Sequence, residues 1–221
     1  MKKTISMLLA LAMTLSFPLA AHAEGTAGGS NGVVLTTLSS DGFSAGIQTD
    51  NSYWNDTVSI GCTLSDEWYF YTDEEIAAQN GLVTGMLRED YAKLVEESGS
   101  MMDMLAVNTE TGENVNITLQ RLTLKDALVL DEQKYAEISA EPLVEALEQT
   151  GLENVSTSVD EVEFLGEKHP CVRVKAIMQD MDFFETLVIV KTGRTVCVVT
   201  VACFLEDTTE EVLTNFYGEK P

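Results

Sequence analysis

The sequence predicts an α+β fold, in which a mostly antiparallel sheet has helices packed on both faces to form an α/β/α sandwich. Segments of alternating apolar and polar residues recur along the chain, a pattern typical of strands with one buried face. Two later segments, residues 184–191 and 194–205, are apolar almost throughout. Such strands are usually covered on both sides, and we expect the segments with helical periodicity to cover them.

The first 23 residues have the three-part pattern of a secretory signal peptide. Lys2 and Lys3 precede an apolar run over residues 5–17, and Ala21-His22-Ala23 is a small-x-small cleavage sequence. We expect cleavage after Ala23, with retention of the segment as an N-terminal anchor as the alternative. The pattern therefore predicts export.

The remaining chain divides into a tether and one domain. Residues 24–42 are rich in glycine, serine and asparagine at their start, which favours a flexible tether. Residues 43–221 are long enough for a single α+β domain with a sizeable core. Because no second apolar segment is long enough to span a bilayer, we expect no membrane contact apart from the signal peptide.

The chain is strongly acidic, with 36 Asp and Glu against 13 Lys and Arg and a formal charge of -23. Removal of the signal peptide takes away two lysines and no acid, which lowers this charge to -25. Such a surface repels nucleic-acid backbones and anionic head groups, so both partner classes are excluded. Cationic partners and divalent cations stay open, although an acidic surface is most often a device for solubility.

One stretch predicts a strand, a turn, a second strand and a capped helix in succession. Apolar and polar residues alternate over residues 57–64, and the aromatic run 68–71 suits a half-buried strand. Thr72 and Glu75 form a capping box, so a helix is expected to start at the residue after Thr72 and to end at Gly81. The aromatic run is interpreted as core packing.

The other elements are predicted from the same periodicities and caps. The first half of the domain contains a first strand over 43–49, an amphipathic helix with Leu87, Tyr91, Leu94 and Val95 on one face, and a hairpin of 101–107 and 114–122 with one fairly polar face. A helical stretch over 124–150 and a meander of strands over 155–205 follow. The chain ends with a helix capped by Thr208 and Glu211, whose apolar stripe is Val212, Leu213, Phe216 and Tyr217. Because proline disrupts a helix interior, the stretch over 124–150 is expected to break before Pro142.

This order of elements resembles the PsbP-type superfamily, in particular small exported members from Firmicutes. The matching segments are Ile60-Gly61-Cys62-x-Leu64, Trp68-x-Phe70, Asp73-Glu74-Glu75-Ile76 and Glu211-Val212-Leu213-x-x-Phe216. The resemblance implies an α/β/α sandwich on the extracellular side of a Gram-positive type bacterium, and a role in binding. It brings no catalytic residues, because no functional motif of that superfamily can be placed on this chain.

Few residues suggest nucleophilic or thiol chemistry. His169 is the one histidine after the signal peptide, and Cys171 lies two residues along the same predicted strand, about 7 Å away along the backbone. A Cys171 nucleophile with His169 as its base is conceivable, against a histidine without a role. The four cysteines, at positions 62, 171, 197 and 203, are best interpreted as small buried apolar residues, with a Cys171–Cys197 disulfide as the alternative.

Asp180, Asp182 and Glu185 form the tightest acidic cluster, on an expected loop. Carboxylate oxygens on a turn could hold Ca²⁺, but the spacing lacks the pattern of a calcium-binding loop. These three residues are therefore weak metal candidates, and we predict no cofactor.

The sequence thus favours an exported, non-catalytic binding or interaction module whose partner is a protein or another extracellular or cell-surface component. The alternative is a small carboxylate-dependent hydrolase of the cell envelope or extracellular space, because the many carboxyl groups could include an acid and base pair.

Overall fold

The computed structural model describes residues 44–79 and 99–220. The predicted signal peptide, the tether and the helix carrying Leu87 and Tyr91 lie outside these residues. Within the described ranges, no helix is both long and apolar enough to cross a membrane.

The described chain forms two sheets and four helices. In order, the elements are β1 (Ile47–Thr49), β2 (Ser52–Asn55), β3 (Ile60–Thr63), β4 (Trp68–Phe70), α1 (Asp73–Gln79), β5 (Ser100–Asn108), β6 (Asn114–Arg121), α2 (Leu124–Val129), α3 (Glu132–Gln149), β7 (Glu153–Phe164), β8 (Glu167–Met178), β9 (Met181–Thr192), β10 (Thr195–Phe204), α4 (Thr209–Leu213) and β11 (Phe216–Tyr217). The small sheet has the order β1-β2-β3-β11, and the large sheet has the order β4-β5-β6-β10-β9-β8-β7.

The large sheet is the middle layer of the domain. On one face, apolar side chains of β8, β9 and β10 pack against α3 through Tyr135, Leu143 and Leu147. On the other face, side chains such as Ile117 and Val199 pack against the small sheet and against α4. The large sheet is therefore covered by helices on one face and mainly by the small sheet on the other.

The predicted α/β/α sandwich is wrong, because the described chain is mostly antiparallel strand in two sheets and does not have helical layers on both faces. The apolar runs in β9 and β10 are indeed buried on both sides. Burial of a strand on both faces requires a cover, but it does not specify whether the cover is a helix or a sheet.

The C-terminal segment is the clearest local difference from the predicted elements. α4 ends at Leu213, and Phe216 and Tyr217 form β11, which pairs with Cys62 and Gly61 of β3. The Tyr217 ring stacks on Trp54 with 6.0 Å between ring centroids. A Cβ atom at Gly61 would lie 2.5 Å from Tyr217 and 2.6 Å from Trp54, so only glycine leaves room for both rings.

Of three predictions about helix ends, the structure matches one and differs from two. The Thr72–Glu75 capping box is present, since each side chain bonds the backbone N–H of the other residue. Thr208 does not cap α4 with its side chain, because its hydroxyl donates to Glu113 on the neighbouring hairpin. The predicted break at Pro142 is also wrong, because α3 continues through this residue.

The break in the helical stretch falls near Asp131. The Asp131 side chain accepts a hydrogen bond from the backbone N–H of Lys134 at 2.8 Å and so begins α3. Leu130, just before it, has extended backbone and ends α2. A strong N-cap residue therefore decides the boundary, whereas Pro142 lies at an exposed position and is tolerated inside the helix.

A buried carboxyl group joins the two sheets. Asp103 lies at a β-bulge in β5, where the register with β6 shifts between Met102 and Met104, and such a bulge can redirect a side chain. Its Oδ2 accepts hydrogen bonds from Tyr53 Oη at 2.5 Å, from Asn55 Nδ2 at 2.9 Å and from the backbone N–H of Gly46 at 2.8 Å. Burial and the neighbouring Asp103 raise the pKa of Tyr53, which keeps its phenol protonated as a donor.

We predict that Tyr53→Phe lowers the free energy of unfolding by about 1–3 kcal/mol, because it leaves the buried Asp103 carboxyl group without one of its donors. Tyr69→Phe is the matched control. Tyr69 is exposed and donates to Glu75 at 2.9 Å, so its loss should cost under about 0.5 kcal/mol. Urea denaturation of both variants makes the comparison, and equal effects would mean that the Asp103 contact does not stabilise the joined sheets.

Candidate functional site

A groove with a volume of about 750 Å³ lies where the β7–β8 turn meets α4 and the C-terminal segment. This size is in the range of ligand-binding clefts. The groove is lined by residues of three segments: Glu163, Phe164, Leu165 and Gly166; Glu210, Glu211, Leu213 and Thr214; and Phe216, Tyr217, Gly218 and Glu219. Its position depends on the pairing of β11 with β3, which brings the third segment beside the first.

The groove combines an apolar floor with an acidic rim. Phe164, Leu213 and Phe216 belong to the core between the sheets and reach the groove from below. Glu211 and Glu219 are exposed around it, and the residues that line it include no lysine or arginine. Such a site can hold a ligand with an apolar body and a cationic group.

One rim carboxylate already has a cationic partner. Glu210 Oε1 lies 2.5 Å from the guanidinium of Arg173 on β8, which also lies 3.4 Å from Asp160 on β7. This pair fixes the start of α4 relative to β7 and β8. It therefore builds the wall of the groove and leaves Glu211 and Glu219 to face a ligand.

Leu165 has an unusual backbone conformation at the edge of the groove. Leu165 and Gly166 have φ angles of 54° and 83° in the turn between β7 and β8. Two-residue hairpin turns of this kind favour Asn-Gly, because asparagine adopts positive φ more readily than leucine does. Leucine here accepts backbone strain, packs partly against the core between the sheets and supplies apolar surface to the groove.

The structure separates the predicted metal candidates. Gln179 and Asp180 form the turn between β8 and β9, and both have positive φ angles, 49° and 64°. The expected loop is therefore a tight hairpin turn. Asp182 is exposed, whereas Glu185 is buried and is 2% exposed. Among the described residues, no group of three or more His, Cys, Asp or Glu side chains could hold a metal ion. Residues 182 and 185 are an odd number of positions apart on β9, and their side chains therefore point to opposite faces.

His169 and Cys171 do not form a nucleophile and base. His169 Nδ1 lies 3.4 Å from Glu132 Oε2 at the start of α3, and the His169 ring packs on Phe164. Cys171 is buried, and this burial raises the pKa of its thiol to about 11. A thiol of this kind is protonated at neutral pH and is a poor nucleophile.

The four cysteines are free and buried, so the predicted interpretation as small core residues is confirmed and the Cys171–Cys197 disulfide is absent. Burial raises the pKa of Cys62 to about 12, and it raises the pKa of Cys197 and Cys203 as well.

We expect the native protein at pH 8 to resist a thiol reagent such as 5,5′-dithiobis(2-nitrobenzoate), and all four thiols to react once guanidinium unfolds it. The measurement is the time course of released thionitrobenzoate at 412 nm. Rapid reaction of any thiol in the absence of denaturant would contradict the burial described above.

A buried polar stripe crosses the helical face of the large sheet. The hairpin face that the sequence marks as polar carries Asn114, Asn116 and Thr118 of β6, all buried. Glu185 is on the same face, since it and Asn114 are both in register with Ala202 of β10. Both amide atoms of Asn114, Oγ1 of Thr118 and Oε2 of Glu185 have no hydrogen-bond partner in the described part of the chain. Each such atom costs about 1–3 kcal/mol.

Burial raises the pKa of Glu185 to about 8, so this carboxyl group is protonated in the folded protein at neutral pH. The unfolded chain loses the same proton near the ordinary value of 4.5. Between these two values folding takes up a proton, and stability therefore falls as the pH rises.

The stripe is closed to solvent, so the groove is the better candidate for a binding site.

We predict that Glu185→Gln removes this pH dependence. Relative to the variant, the wild-type protein should lose stability between pH 4.5 and pH 8, by up to about 1.4 kcal/mol per pH unit. Urea denaturation at pH 4.5, 6 and 8 measures the difference, with Glu148→Gln on the exposed side of α3 as control. A constant difference across these pH values would show that Glu185 ionises alike in both states.

Comparisons with known proteins give no family for this chain. No protein-family model matches the sequence, and no curated protein matches it. A solved structure from Bacteroides thetaiotaomicron VPI-5482 is 12% identical, with a TM-score of 0.39 over 78% of this chain and 50% of the other. LpqN, involved in cell envelope biogenesis of Mycobacterium tuberculosis, is 10% identical, with a TM-score of 0.39 over 72% of this chain and 82% of LpqN.

The chain thus spans half the length of the Bacteroides thetaiotaomicron chain. At these sequence identities and TM-scores, neither similarity supports a conclusion about the fold or the function of this chain. The resemblance to the PsbP-type superfamily stays a prediction.

Proposed function

We propose that the protein is an exported, non-catalytic binding module that holds a cationic, partly apolar segment of a partner in the acidic groove. The observation that carries this proposal is the groove itself, in which the exposed Glu211 and Glu219 flank an apolar floor. Export rests on the signal-peptide pattern of residues 1–23. The partner is an extracellular or cell-surface protein or another component with the same chemistry.

Charge supports the choice of a cationic partner. The formal charge, -23 for the full sequence and -25 without the predicted signal peptide, attracts cations and raises the rate at which they associate. The groove adds specificity, because its floor contacts apolar side chains while its rim contacts lysine or arginine side chains. A segment in which basic and apolar residues alternate fits both requirements.

A carboxylate-dependent hydrolase has no comparable observation in its favour. Such an enzyme needs two carboxyl groups across a cleft, one of them protonated. Glu185 is protonated at neutral pH, but it faces away from α4, since the adjacent Thr186 is the residue that bonds Thr209 of that helix. The protonated carboxyl group and the groove therefore lie on opposite faces of the large sheet.

We predict that a ten-residue peptide of alternating lysine and valine binds the domain, and that Glu211→Gln with Glu219→Gln weakens this binding about 2- to 30-fold. This range corresponds to about 0.2–1 kcal/mol for each exposed charge pair. Fluorescence anisotropy at low and high salt measures the affinity. The control is Glu141→Gln with Glu148→Gln, which removes equal charge from exposed positions of α3.

Equal weakening by both double variants would show that the peptide responds to total charge only, and the groove proposal would then fail. Lack of binding by the peptide would exclude this class of ligand.

The Leu165→Asn variant tests whether the leucine side chain at this strained backbone position contributes to peptide binding. Asparagine suits the positive φ of this turn but loses the packing of Leu165 against the core, so these two effects oppose each other and the free energy of unfolding should change by under about 1 kcal/mol. Loss of apolar surface should lower peptide affinity about fivefold, equivalent to about 1 kcal/mol. Leu205→Asn is the control, because Leu205 has a φ of 72° and does not line the groove. If both variants bind the peptide as the wild type does, Leu165 has no role in the site.

A further inference from the structure

Strand β7 forms one edge of the large sheet. It has twelve residues and pairs on its inner side with β8, and no other described strand pairs with it. Long exposed edges can pair with another chain, and proteins usually protect them with charged side chains, proline, bulges or shortness, so the acidic side chains of β7 restrict which chains can pair with it.

Most of this edge is regular. A register shift between Glu153 and Ser156 and a φ of 54° at Asn154 mark a bulge near the start of the strand. From Ser156 to Phe164 the pairing with β8 continues without interruption. Over this length, alternate residues direct their backbone N–H and C=O groups away from the sheet.

Helix α3 supports β7 on one face of the sheet and keeps this edge strand extended. Helix α3 packs against β7, and Thr157 Oγ1 donates to the carbonyl oxygen of Ala140 at 3.3 Å. A partner strand would therefore meet an ordered template, and the entropy cost of pairing would fall mainly on the partner.

The charge of the edge is of one sign. The charged residues of β7 are Glu153, Asp160, Glu161 and Glu163, and the strand contains no lysine or arginine. Arg173 lies 3.4 Å from Asp160, and Lys168 lies 3.5 Å from Glu161, so part of this charge is balanced. A second copy of this chain is a poor occupant, because antiparallel pairing of two β7 strands would place acidic side chains close together.

The edge leads into the groove. Glu163 and Phe164 are the last two residues of β7, and both line the groove. A chain that pairs along β7 would reach the groove without a turn.

We propose that a cationic, extended peptide segment pairs with the outer edge of β7 as an additional strand and places one end in the groove. This proposal rests on the proposed function and specifies its partner as an unfolded or terminal segment that adopts strand conformation on binding. Main-chain hydrogen bonds then supply affinity, and the acidic rim selects lysine or arginine.

Alternate N-methylation of the lysine-valine peptide tests this mode of binding. In a strand, N–H groups of successive residues point to opposite sides, so methylation of all lysines blocks one side and methylation of all valines blocks the other. We expect one methylated peptide to bind within about twofold of the parent and the other to lose at least tenfold. The alternation of lysine and valine fixes which face of the peptide meets the sheet and prevents slippage by one residue.

Hydrogen exchange gives the readout on the protein. The outward amide groups of β7 should gain protection when the parent peptide is bound, whereas those of β4, at the opposite edge of the sheet, should not.

The outcomes separate the two proposals. Equal affinity of the parent and both methylated peptides, with no protection of β7, would overturn strand pairing while the groove remained the binding site. Absence of binding by the parent peptide would overturn both.

Discussion

The contact between the two sheets depends on Asp103. Three donors from the small sheet and the segment before it converge on one carboxyl oxygen, and all of them are buried with it. This contact fixes the small sheet over the large one, and the core between them includes Phe164, Leu213 and Phe216. The groove floor consists of these same residues, so the geometry of the site follows from the way the sheets are joined.

Local elements could be predicted because their causes are local. Alternation predicted the β5–β6 hairpin and β8, apolar runs on either side of a Thr-Gly turn predicted β9 and β10, and the Thr72–Glu75 box predicted the start of α1. The layers could not be predicted in the same way, since an apolar strand shows that it is covered without showing by what. Phe216 and Tyr217 have helical spacing but pair with β3, because the tertiary contact with Trp54 outweighs local periodicity.

The candidate site lay beyond sequence reasoning for a different reason. Its lining comes from three segments that meet only when β11 pairs with β3. Two signals were nevertheless present in the sequence: Asp103 is a single acid within an otherwise apolar strand, and Leu165 precedes glycine where a hairpin turn favours asparagine. Each departs from the local pattern, and each departure marks a residue that the tertiary structure constrains.

The order of strands in the large sheet also has a kinetic consequence. The sheet contains the β5–β6 hairpin and the β7-β8-β9-β10 meander, which meet at the seam where Arg121 pairs with Thr195 and Asn114 with Ala202. The hairpin and the meander can each form from short-range contacts, whereas the seam must close a long loop. Formation of the seam should therefore limit the folding rate.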